Sequence, residues 1–285
     1  MSPLVSVVIP AHDNAAFVGA AVRSVLAQSH RPLELVVVDD GSTDGTREVI
    51  REVSRWPSID DVRVLVQPNR GAPAAIMRGL AAARGDVLAI LNADDVYHPE
   101  RLAALVPRLT GPTAFAFSGV EFIDAEGRGL PPGHAWPSWY AAALRDAGRC
   151  PSVGYALLLH NFSVSSGNFV FTRALYEELG GFSEHRFCHD WDFLIRAVYH
   201  TEPAWVRRPL LSYRVHGANT TEKVRDRLYA EAMDALGRYL RLCEAGLPPN
   251  PLAPCAANWP RFFSRFTAGH HAFFAPDRPL AAFLG

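Results

Sequence analysis

Four strongly apolar segments alternate with segments of helical periodicity in the first 110 residues, and this alternation constrains the fold more than any other feature. The apolar segments are LVSVVIP (4–10), LELVVVDD (33–40), VRVLVQ (62–67) and DVLAILN (86–92). Strands that are apolar throughout are covered on both faces, which is typical of a parallel sheet flanked by helices. The sequence therefore predicts an α/β fold in which ligands bind at the carboxyl ends of the strands.

The segments between these strands carry the signals that begin and end helices. Such signals predict where each helix is capped, although they fix its ends only to within a few residues. The expected signals are Asn14 as a cap before Val18, Asp44 as a cap before residues 45–55, Gly85 at the end of residues 71–85, and Pro99 in the first turn of a further helix.

The pattern changes in the second part of the chain. Residues 115–127 predict a β-hairpin, and the proline-rich residues 131–139 predict a loop. Helical periodicity dominates after about residue 220 and leads to a tail rich in phenylalanine. The predicted organisation is one domain with two halves, residues 1–110 and 111–218, followed by a helical extension over residues 219–285.

Composition excludes several classes of protein. Of the 285 residues, 49% are hydrophobic, and 28 basic residues oppose 29 acidic ones, so no basic field predicts a nucleic-acid partner. No run of 18 apolar residues predicts a membrane-spanning helix, and the first residues do not resemble a cleaved signal, so we expect a soluble cytoplasmic protein. The four cysteines, none of them in a CxxC pair, are expected to be free thiols: Cys150, Cys188, Cys243 and Cys255.

Two pairs of aspartates end two of the predicted strands. Asp39 and Asp40 end the second strand, and Asp94 and Asp95 follow the fourth. Each carboxylate alone could cap a helix or complete a turn, but two pairs at one edge of a parallel sheet are harder to explain that way. Hard divalent cations prefer oxygen ligands, so Asp94 and Asp95 suit a cation bound with a diphosphate. Asp40 could instead accept hydrogen bonds from a base or ribose.

Four motifs in order now resemble those of family-2 glycosyltransferases. The motifs are VSVVIPAHDN, ELVVVDDGSTDGT, QPNRGAPAAIMRGLAAARGD and LAILNADD, within a similarity that extends over residues 4 to about 216. The resemblance implies a GT-A (Rossmann-like) fold with a mixed, mainly parallel sheet and a C-terminal helical extension. It also implies transfer of a sugar from a nucleotide-diphosphate donor, with Mn²⁺ or Mg²⁺ as cofactor and a UDP-sugar as the commonest donor.

The resemblance assigns residues to the donor side. It implies that Asp95, Asp94 and His216 serve the metal. One position departs from the family pattern D-x-D-D, because Asn92 stands where the first aspartate is usual. Asn92 can form hydrogen bonds but brings no charge to a cation. The residues implied at the nucleotide and diphosphate are Pro10, Ala11, His12, Asp40, Asn69, Gly71, Arg78, Asn92, Asp94 and Arg214.

The acceptor side follows from SGNFVFTRALYEELGGFSE (166–184) and CHDWDFLIR (188–196), which resemble the acceptor segment and the E-D-x-D box of the family. The resemblance makes Asp190 the general base that removes a proton from the acceptor hydroxyl. Asp190 alone could also cap the helix that follows, a role that is compatible with that of a base. Gly167, Asn168 and Trp191 are implied at the acceptor, although an aromatic residue at position 191 is as often part of the core.

The sequence thus predicts a metal-dependent, inverting glycosyltransferase that acts by one direct displacement. Two alternatives are a non-catalytic nucleotide-sugar-binding protein, suggested by Asn92, and a sugar nucleotidyltransferase, whose glycine-rich loop is missing here. The acceptor could be a saccharide, a lipid-linked group or a protein. The phenylalanine-rich tail could pack on the domain, dock on the inner face of a membrane or contact another subunit. His185 and His189 have the spacing of a zinc pair but lack further ligands in the sequence.

Overall fold

The apolar segments of the sequence form the strands of one sheet. The computed structural model describes residues 2–53, 61–217 and 225–255. The apolar strands of the first half are β1 (Val5–Ala11), β2 (Leu33–Asp39), β3 (Asp61–Val66) and β4 (Val87–Ile90). The remaining strands are β5 (Val96–Tyr97), β6 (Phe115–Ile123), β7 (Val170–Thr172) and β8 (Ala204–Arg214).

The sheet has the strand order β3-β2-β1-β4-β7-β6-β8-β5. The first four strands run parallel, β7 is antiparallel to both of its neighbours, and β8 runs parallel to β6. The predicted mixed sheet is therefore confirmed. Because β1, β2 and β4 are parallel, the residues that follow β2 and β4 lie at one edge.

Helices cover the sheet. In the first half they are α1 (Val18–Leu26), α2 (Thr46–Val53), α3 (Ala72–Ala82) and α4 (Arg101–Leu105). Those that follow are α5 (Ala135–Ala147), α6 (Val153–Leu159), α7 (Arg173–Glu178), α8 (His189–His200) and α9 (Arg225–Ala245). The core includes a group of phenylalanines on β6, β7 and α8, whose ring centroids lie 4.9–6.5 Å apart: Phe115, Phe171 and Phe193.

Two of the predicted helix signals have a different structural role. Asn14 does not cap α1, because its side-chain oxygen accepts the N–H of His12 and the helix begins later, at Val18. Gly85 does not end α3, which stops at Ala82. A Cβ atom at Gly85 would lie 2.5 Å from the carbonyl oxygen of Leu4, so glycine is needed there for close approach of two backbone segments.

Two predictions for the middle of the chain were wrong. The hairpin over residues 115–127 is the single long strand β6, and its returning segment forms only one bridge, between Ile123 and Gly129. The loop over residues 131–139 ends early, because α5 begins at Ala135. His134 accepts the N–H of Trp136 at this helix start, and a proline within the first turn is compatible with a helix.

The predicted C-terminal helical extension is represented by the long helix α9. This helix packs against α8, and Tyr239 of α9 is buried. The phenylalanine-rich tail lies outside the described residues. None of the helices in the described ranges is long and apolar enough to cross a membrane.

Candidate active site

Asp39 holds the turn after β2 in place. One carboxylate oxygen accepts the N–H of Ser42 at 3.0 Å, and the other accepts Nε–H of Arg47 at 2.7 Å. Asp44 accepts the N–H of Thr46 at 3.0 Å and so caps α2, as predicted. The GSTDGT segment is thereby folded into a compact turn at the carboxyl edge of the sheet.

Asp40 organises the loop between β3 and α3. Its buried carboxylate accepts the Gln67 amide at 2.7 Å and the N–H groups of Arg70 and Gly71 at 2.9 and 2.8 Å. Gly71 has a φ of +88°, a conformation that favours glycine, at the start of α3. The carboxylate predicted to meet the base is thus engaged with the loop that carries Asn69.

His12 and Asn69 form the exposed rim of this edge. The two side chains meet at 2.9 Å, between Nε2 of His12 and Nδ2 of Asn69. Pro10 and Ala11 end β1 beneath them, and Ala11 is buried. The exposed Arg78 donates to the carbonyl oxygen of Val66 at 2.8 Å. This part of the predicted nucleotide set therefore lies around the ends of β1 and β3, whereas Asn92, Asp94 and Arg214 lie at the ends of β4 and β8.

The acidic pair after β4 lies beside two residues that follow it by about 120 positions. Oδ2 of Asp94 is 3.1 Å from Nε2 of His216. Asp95 is fully buried, and its Oδ1 accepts the N–H of Arg214 at 2.9 Å. The Arg214 side chain donates to the carbonyl oxygen of Asp94 and lies over the ring of Phe17. The end of β8 is therefore fixed against the acidic pair.

Asn92 is bonded to the buried carboxylate of this pair. Its Nδ2 donates to Oδ2 of Asp95 and to Oγ of Ser165, each at 3.2 Å. Burial, together with the charge of Asp94, raises the pKa of Asp95 well above its usual value, and the hydrogen bonds from Arg214 and Asn92 oppose that shift. An aspartate at position 92 would replace one of these donors by a third carboxylate.

A divalent cation fits part of this group. Oδ2 of Asp94 and Nε2 of His216, which are hydrogen-bonded to each other at 3.1 Å, are both atoms of the kinds that bind divalent cations in proteins. Within the residues that the structure describes, no three histidine, cysteine or acidic side chains are grouped to hold a metal ion. Asp95, which the resemblance also places at the metal, is buried here and accepts hydrogen bonds from Arg214 and Asn92.

Asp190 is the second residue of α8 and stands at its positive end. Oδ1 accepts the N–H of Trp191 at 2.7 Å, and Oδ2 accepts the amide of Asn161 at 3.2 Å. Burial raises the pKa of Asp190, whereas the charge of His189 and these hydrogen bonds act in the opposite direction. A carboxylate with a raised pKa is a stronger base than an exposed one, which suits proton removal from a hydroxyl.

The three residues predicted at the acceptor are buried. The indole of Trp191 donates to the carbonyl oxygen of Leu157 at 2.8 Å, so the ring is a core residue and not an exposed platform. Asn168 is enclosed, and its amide donates to the carbonyl oxygens of Ser118 and Ser163. A Cβ atom at Gly167 would lie 3.1 Å from the N atom of Asn92, so this glycine permits the segment to pack against β4.

Sequence reasoning missed two residues with prominent contacts. Arg101 is fully buried, bonds to Ser118 and Asn168, and lies over the Tyr97 ring at 4.6 Å. Asn161 is bonded to Asp190. The arginine follows NADD closely in the sequence, but no local pattern distinguishes a buried arginine from a helical surface residue.

The zinc hypothesis gains no support. His185 pairs with Asp234 of α9 at 2.9 Å, and no metal-holding group exists among the residues that the structure covers. The four cysteines are free, as predicted. Burial raises the pKa of Cys188 to about 12, so this thiol is not a nucleophile at neutral pH.

Comparison with known proteins identifies relatives of one kind. The family described as Glycosyl transferase family 2 matches residues 6–180. An uncharacterized glycosyltransferase from Nostoc sp. is 42% identical over 102 residues, which are 36% of this chain and 31% of the relative. The putative teichuronic acid biosynthesis glycosyltransferase TuaG from Bacillus subtilis is 33% identical over 129 residues, or 45% and 51% of the two chains.

Solved structures show the same fold. S. aureus TarS (1–349) in complex with UDP has a TM-score of 0.59 at 18% identity, covering 83% of this chain and 65% of the other. The mannosyltransferase PcManGT from Pyrobaculum calidifontis, in complex with GDP-Man and Mn²⁺, has a TM-score of 0.63 at 21% identity, covering 85% and 65%. The chain thus spans less than two thirds of both curated relatives and about two thirds of both structures.

Proposed function

Because the chain belongs to glycosyl transferase family 2, we propose that it transfers a sugar from a nucleotide-diphosphate donor to an acceptor hydroxyl by direct displacement with inversion. The observation that carries the proposal is the contact of Asp94 with His216 at the carboxyl edge of the sheet. These residues are 122 positions apart in the sequence, and both were predicted at the metal from motifs alone.

The donor side of the reaction belongs to the edge formed by β1, β2 and β4. His12 and Asn69 offer exposed polar atoms to the nucleotide, and Asp40 keeps the Asn69 loop in position. Asp94 and His216 would hold a divalent cation, which would neutralise charge on the leaving diphosphate. Asp95 and Arg214 keep these two ligands in register by joining the end of β8 to the residues after β4.

The acceptor side belongs to Asp190. Its carboxylate would take the proton of the acceptor hydroxyl as that oxygen attacks the anomeric carbon and the bond to the diphosphate breaks. A single displacement inverts the configuration at that carbon. The start of α8 contributes because its partial positive charge helps to keep a buried carboxylate ionised between turnovers.

The class of donor is supported by the similar structures. TarS is described in complex with UDP and with UDP-GlcNAc, and PcManGT in complex with GDP-Man and Mn²⁺. We propose a UDP-sugar as donor and manganese as cation, with a saccharide, a lipid-linked group or a protein as acceptor. Neither the non-catalytic nucleotide-sugar-binding alternative nor the nucleotidyltransferase alternative gains support from the two curated relatives described above, both of which are named as glycosyltransferases.

A thermal-shift screen tests the donor side. UDP, dTDP and GDP are each added with and without Mn²⁺, because a ligand that binds only the folded state raises the melting temperature. The proposal predicts a shift with one of them that needs Mn²⁺, and that shift is lost in Asp94→Asn and in His216→Ala. The matched control is His134→Ala, because this histidine stands just before α5 and its ring accepts the N–H of Trp136 at the helix start, away from the Asp94–His216 bond.

The outcome separates metal binding from nucleotide binding. A shift of equal size without Mn²⁺, or one retained in both variants, would contradict the metal role of Asp94 and His216. Absence of a shift with every nucleotide would contradict the proposal as a whole. Cytoplasmic residence stays a prediction. Contact of the tail with a membrane or a second subunit also stays a prediction, since the tail lies outside the described residues.

A further inference from the structure

One short segment connects the two ends of the proposed site. This connecting segment comprises residues 161–168, between α6 and β7, and runs from beside Asp190 to beside Asn92. Its side chains are small and polar at most positions, and Ser163, Ser166 and Asn168 are buried. Buried polar groups are costly unless they are bonded, so the partners of this segment define its role.

At its first end the connecting segment binds the proposed base. Nδ2 of Asn161 donates to Oδ2 of Asp190 at 3.2 Å, while the N–H of Trp191 occupies the other oxygen. Two donors on two different oxygens fix the plane of the carboxylate. Asn161 is itself oriented by Ser163, whose hydroxyl donates to Oδ1 of Asn161 at 2.5 Å. This bond determines which atom of the amide faces Asp190.

At its second end the connecting segment is hydrogen-bonded to Asn92, beside the acidic pair that is proposed to hold the metal. The amide of Asn168 donates to the carbonyl oxygen of Ser163 at 2.9 Å, which closes the segment on itself. Ser165 accepts the Asn92 amide at 3.2 Å, and Ser166 donates to Oδ1 of Asn92 at 3.4 Å. The N–H of Asn168 also donates to the carbonyl oxygen of Ser165 at 3.0 Å, so hydrogen bonds connect Asp190 to Asn92 through Asn161, Ser163, Asn168 and Ser165.

The backbone of the connecting segment is strained at its centre. Val164 has a φ of +76°, a region that a β-branched residue rarely adopts. Such a conformation persists only where its surroundings over-determine it, and it is often found at functional sites. The two neighbours of Val164 act at opposite ends, because Ser163 contacts Asn161 and Ser165 contacts Asn92.

We propose that Asn161 is a positioning residue that orients Asp190 for proton removal and is held in register with the donor edge by the connecting segment. The proposal rests on the proposed function in so far as Asp190 is the base. Asn161 acts through its hydrogen bond to the proposed base. As a neutral donor it supports the ionised carboxylate without competing for the proton, which a lysine or a histidine would do.

The first test needs no substrate. The carboxyl resonance of Asp190 is followed by ¹³C NMR across the pH range in the full chain, and it is assigned by its absence in Asp190→Asn. Asn161→Ala should raise the titration midpoint by about one pH unit, because a hydrogen bond to the charged form is lost. Asn161→Asp should raise it further, because it places a second carboxylate beside the first.

The control is an asparagine bound to the other end of the same helix. The amide of Asn250 is buried and donates to the carbonyl oxygen of Val198 in α8 at 2.9 Å. Asn250→Ala should lower the melting temperature and leave the Asp190 midpoint unchanged. If the Asp190 titration midpoint is as unchanged in Asn161→Ala as it is in Asn250→Ala, Asn161 has only a structural role and the proposal is overturned.

The second test measures turnover. Release of UDP from UDP-GlcNAc and of GDP from GDP-mannose is measured as a function of pH in the presence of Mn²⁺. The proteins compared are wild type, Asn161→Ala and Asn250→Ala. The proposal predicts that Asn161→Ala moves the ascending limb to higher pH by the amount found by NMR and changes KM little. An unmoved limb overturns it. If the wild type turns over neither donor, the proposed function is in question, while the NMR titration still decides whether Asn161 positions Asp190.

Discussion

Asn92 is a residue at which this chain departs from the D-x-D-D pattern, and its contacts give a physical reason for the departure. The carboxylate of Asp95 is buried beside that of Asp94. An amide at position 92 donates to Asp95 and simultaneously holds the serines of the connecting segment. The asparagine thus supplies a hydrogen bond where a third aspartate would add repulsion.

The residue-scale prediction for Asn92 concerns stability. Asn92→Asp removes the donor to Asp95 and adds a charge within about 3 Å of it, so it should lower the free energy of unfolding by about 2 kcal/mol. Denaturant unfolding at pH 7.5 measures this loss. Asn69→Asp makes the same chemical change at an exposed position and should cost less than about 0.5 kcal/mol. Equal losses in the two variants would refute the account of Asn92.

A second residue-scale prediction concerns Asp190 and pH. Its pKa in the folded protein is raised by burial, so the folded state binds this proton more tightly than the unfolded chain does. Folding stability from this group is therefore full below the unfolded pKa and declines as pH rises through the folded value. The asparagine of the Asp190→Asn variant does not titrate, so that variant lacks this contribution to the pH dependence of stability.

The melting temperature of Asp190→Asn relative to wild type should accordingly increase between pH 4 and pH 8. Parallel thermal melts at each pH measure the difference. A difference that stays constant, or that falls as pH rises, would show that Asp190 is not destabilised by its charge in the folded protein.

At the scale of single residues, the sequence points to members of motifs and not to the residues that contact them. Asp94, Asp95, His216 and Asp190 each stand in a recognisable pattern. Asn161 and Arg101 stand in none, because their roles come from contacts with residues 29 and 67 positions away. Trp191 was predicted with an open alternative, and the structure buries it, because its indole packs against α6 and donates to the carbonyl oxygen of Leu157.

Elements were predictable where one physical signal dominated. The four apolar strands were found to within about two residues because burial on both faces leaves a continuous apolar run. The start of α5 was missed because the prolines at 131, 132 and 137 indicate a loop, although a helix tolerates proline in its first turn. Strand β6 was predicted as a hairpin because its turn residues are local, whereas its partners β7 and β8 are distant in sequence.

The junction before β4 gives the element-scale prediction. Gly85 approaches the backbone of Leu4 and Ser6, so Gly85→Ala should force β1 and β4 apart and lower the free energy of unfolding by about 1–3 kcal/mol. Gly133 has open space around its Cβ position, and Gly133→Ala is the matched control. Chemical denaturation compares the two variants, and similar stabilities would contradict the close approach.

At the scale of the whole molecule, the helix α9 is hydrogen-bonded to the segment just before α8. Glu231 of α9 accepts the N–H groups of Phe187 and Cys188 at 2.7 and 2.9 Å, immediately before the helix that carries Asp190. The sequence predicted a helical extension but gave no indication of its docking surface. Such docking depends on which faces of two distant helices meet, and local patterns do not encode that.

The prediction at this scale is that α9 supports the site. Glu231→Ala should lower the free energy of unfolding by about 2 kcal/mol at neutral pH and should reduce turnover, whereas Glu244→Ala, an exposed change on the same helix, should do neither. Although burial alone would raise it, the hydrogen bonds from Phe187, Cys188 and Arg186 lower the pKa of Glu231. Its contribution is therefore present at neutral pH and disappears as pH falls through the lowered pKa.

The thermal melts of Glu231→Ala and wild type should therefore converge in acid. Melts recorded from pH 7 down to pH 3 measure the convergence. Full activity in Glu231→Ala would contradict a supporting role of α9, and a gap in melting temperature that persists in acid would contradict the ionic origin of the stabilisation.

The central claim is that this fold binds a nucleotide-sugar and uses Asp190 to transfer the sugar. The most direct measurement compares the donor turnover of wild type with that of Asp190→Asn, at saturating donor and with Mn²⁺. The donor is a nucleotide-sugar of whichever nucleotide diphosphate gives the largest thermal shift. The account predicts that Asp190→Asn binds the nucleotide as wild type does but releases it from the donor at least about 100-fold more slowly. Turnover at the wild-type rate in Asp190→Asn would contradict the account.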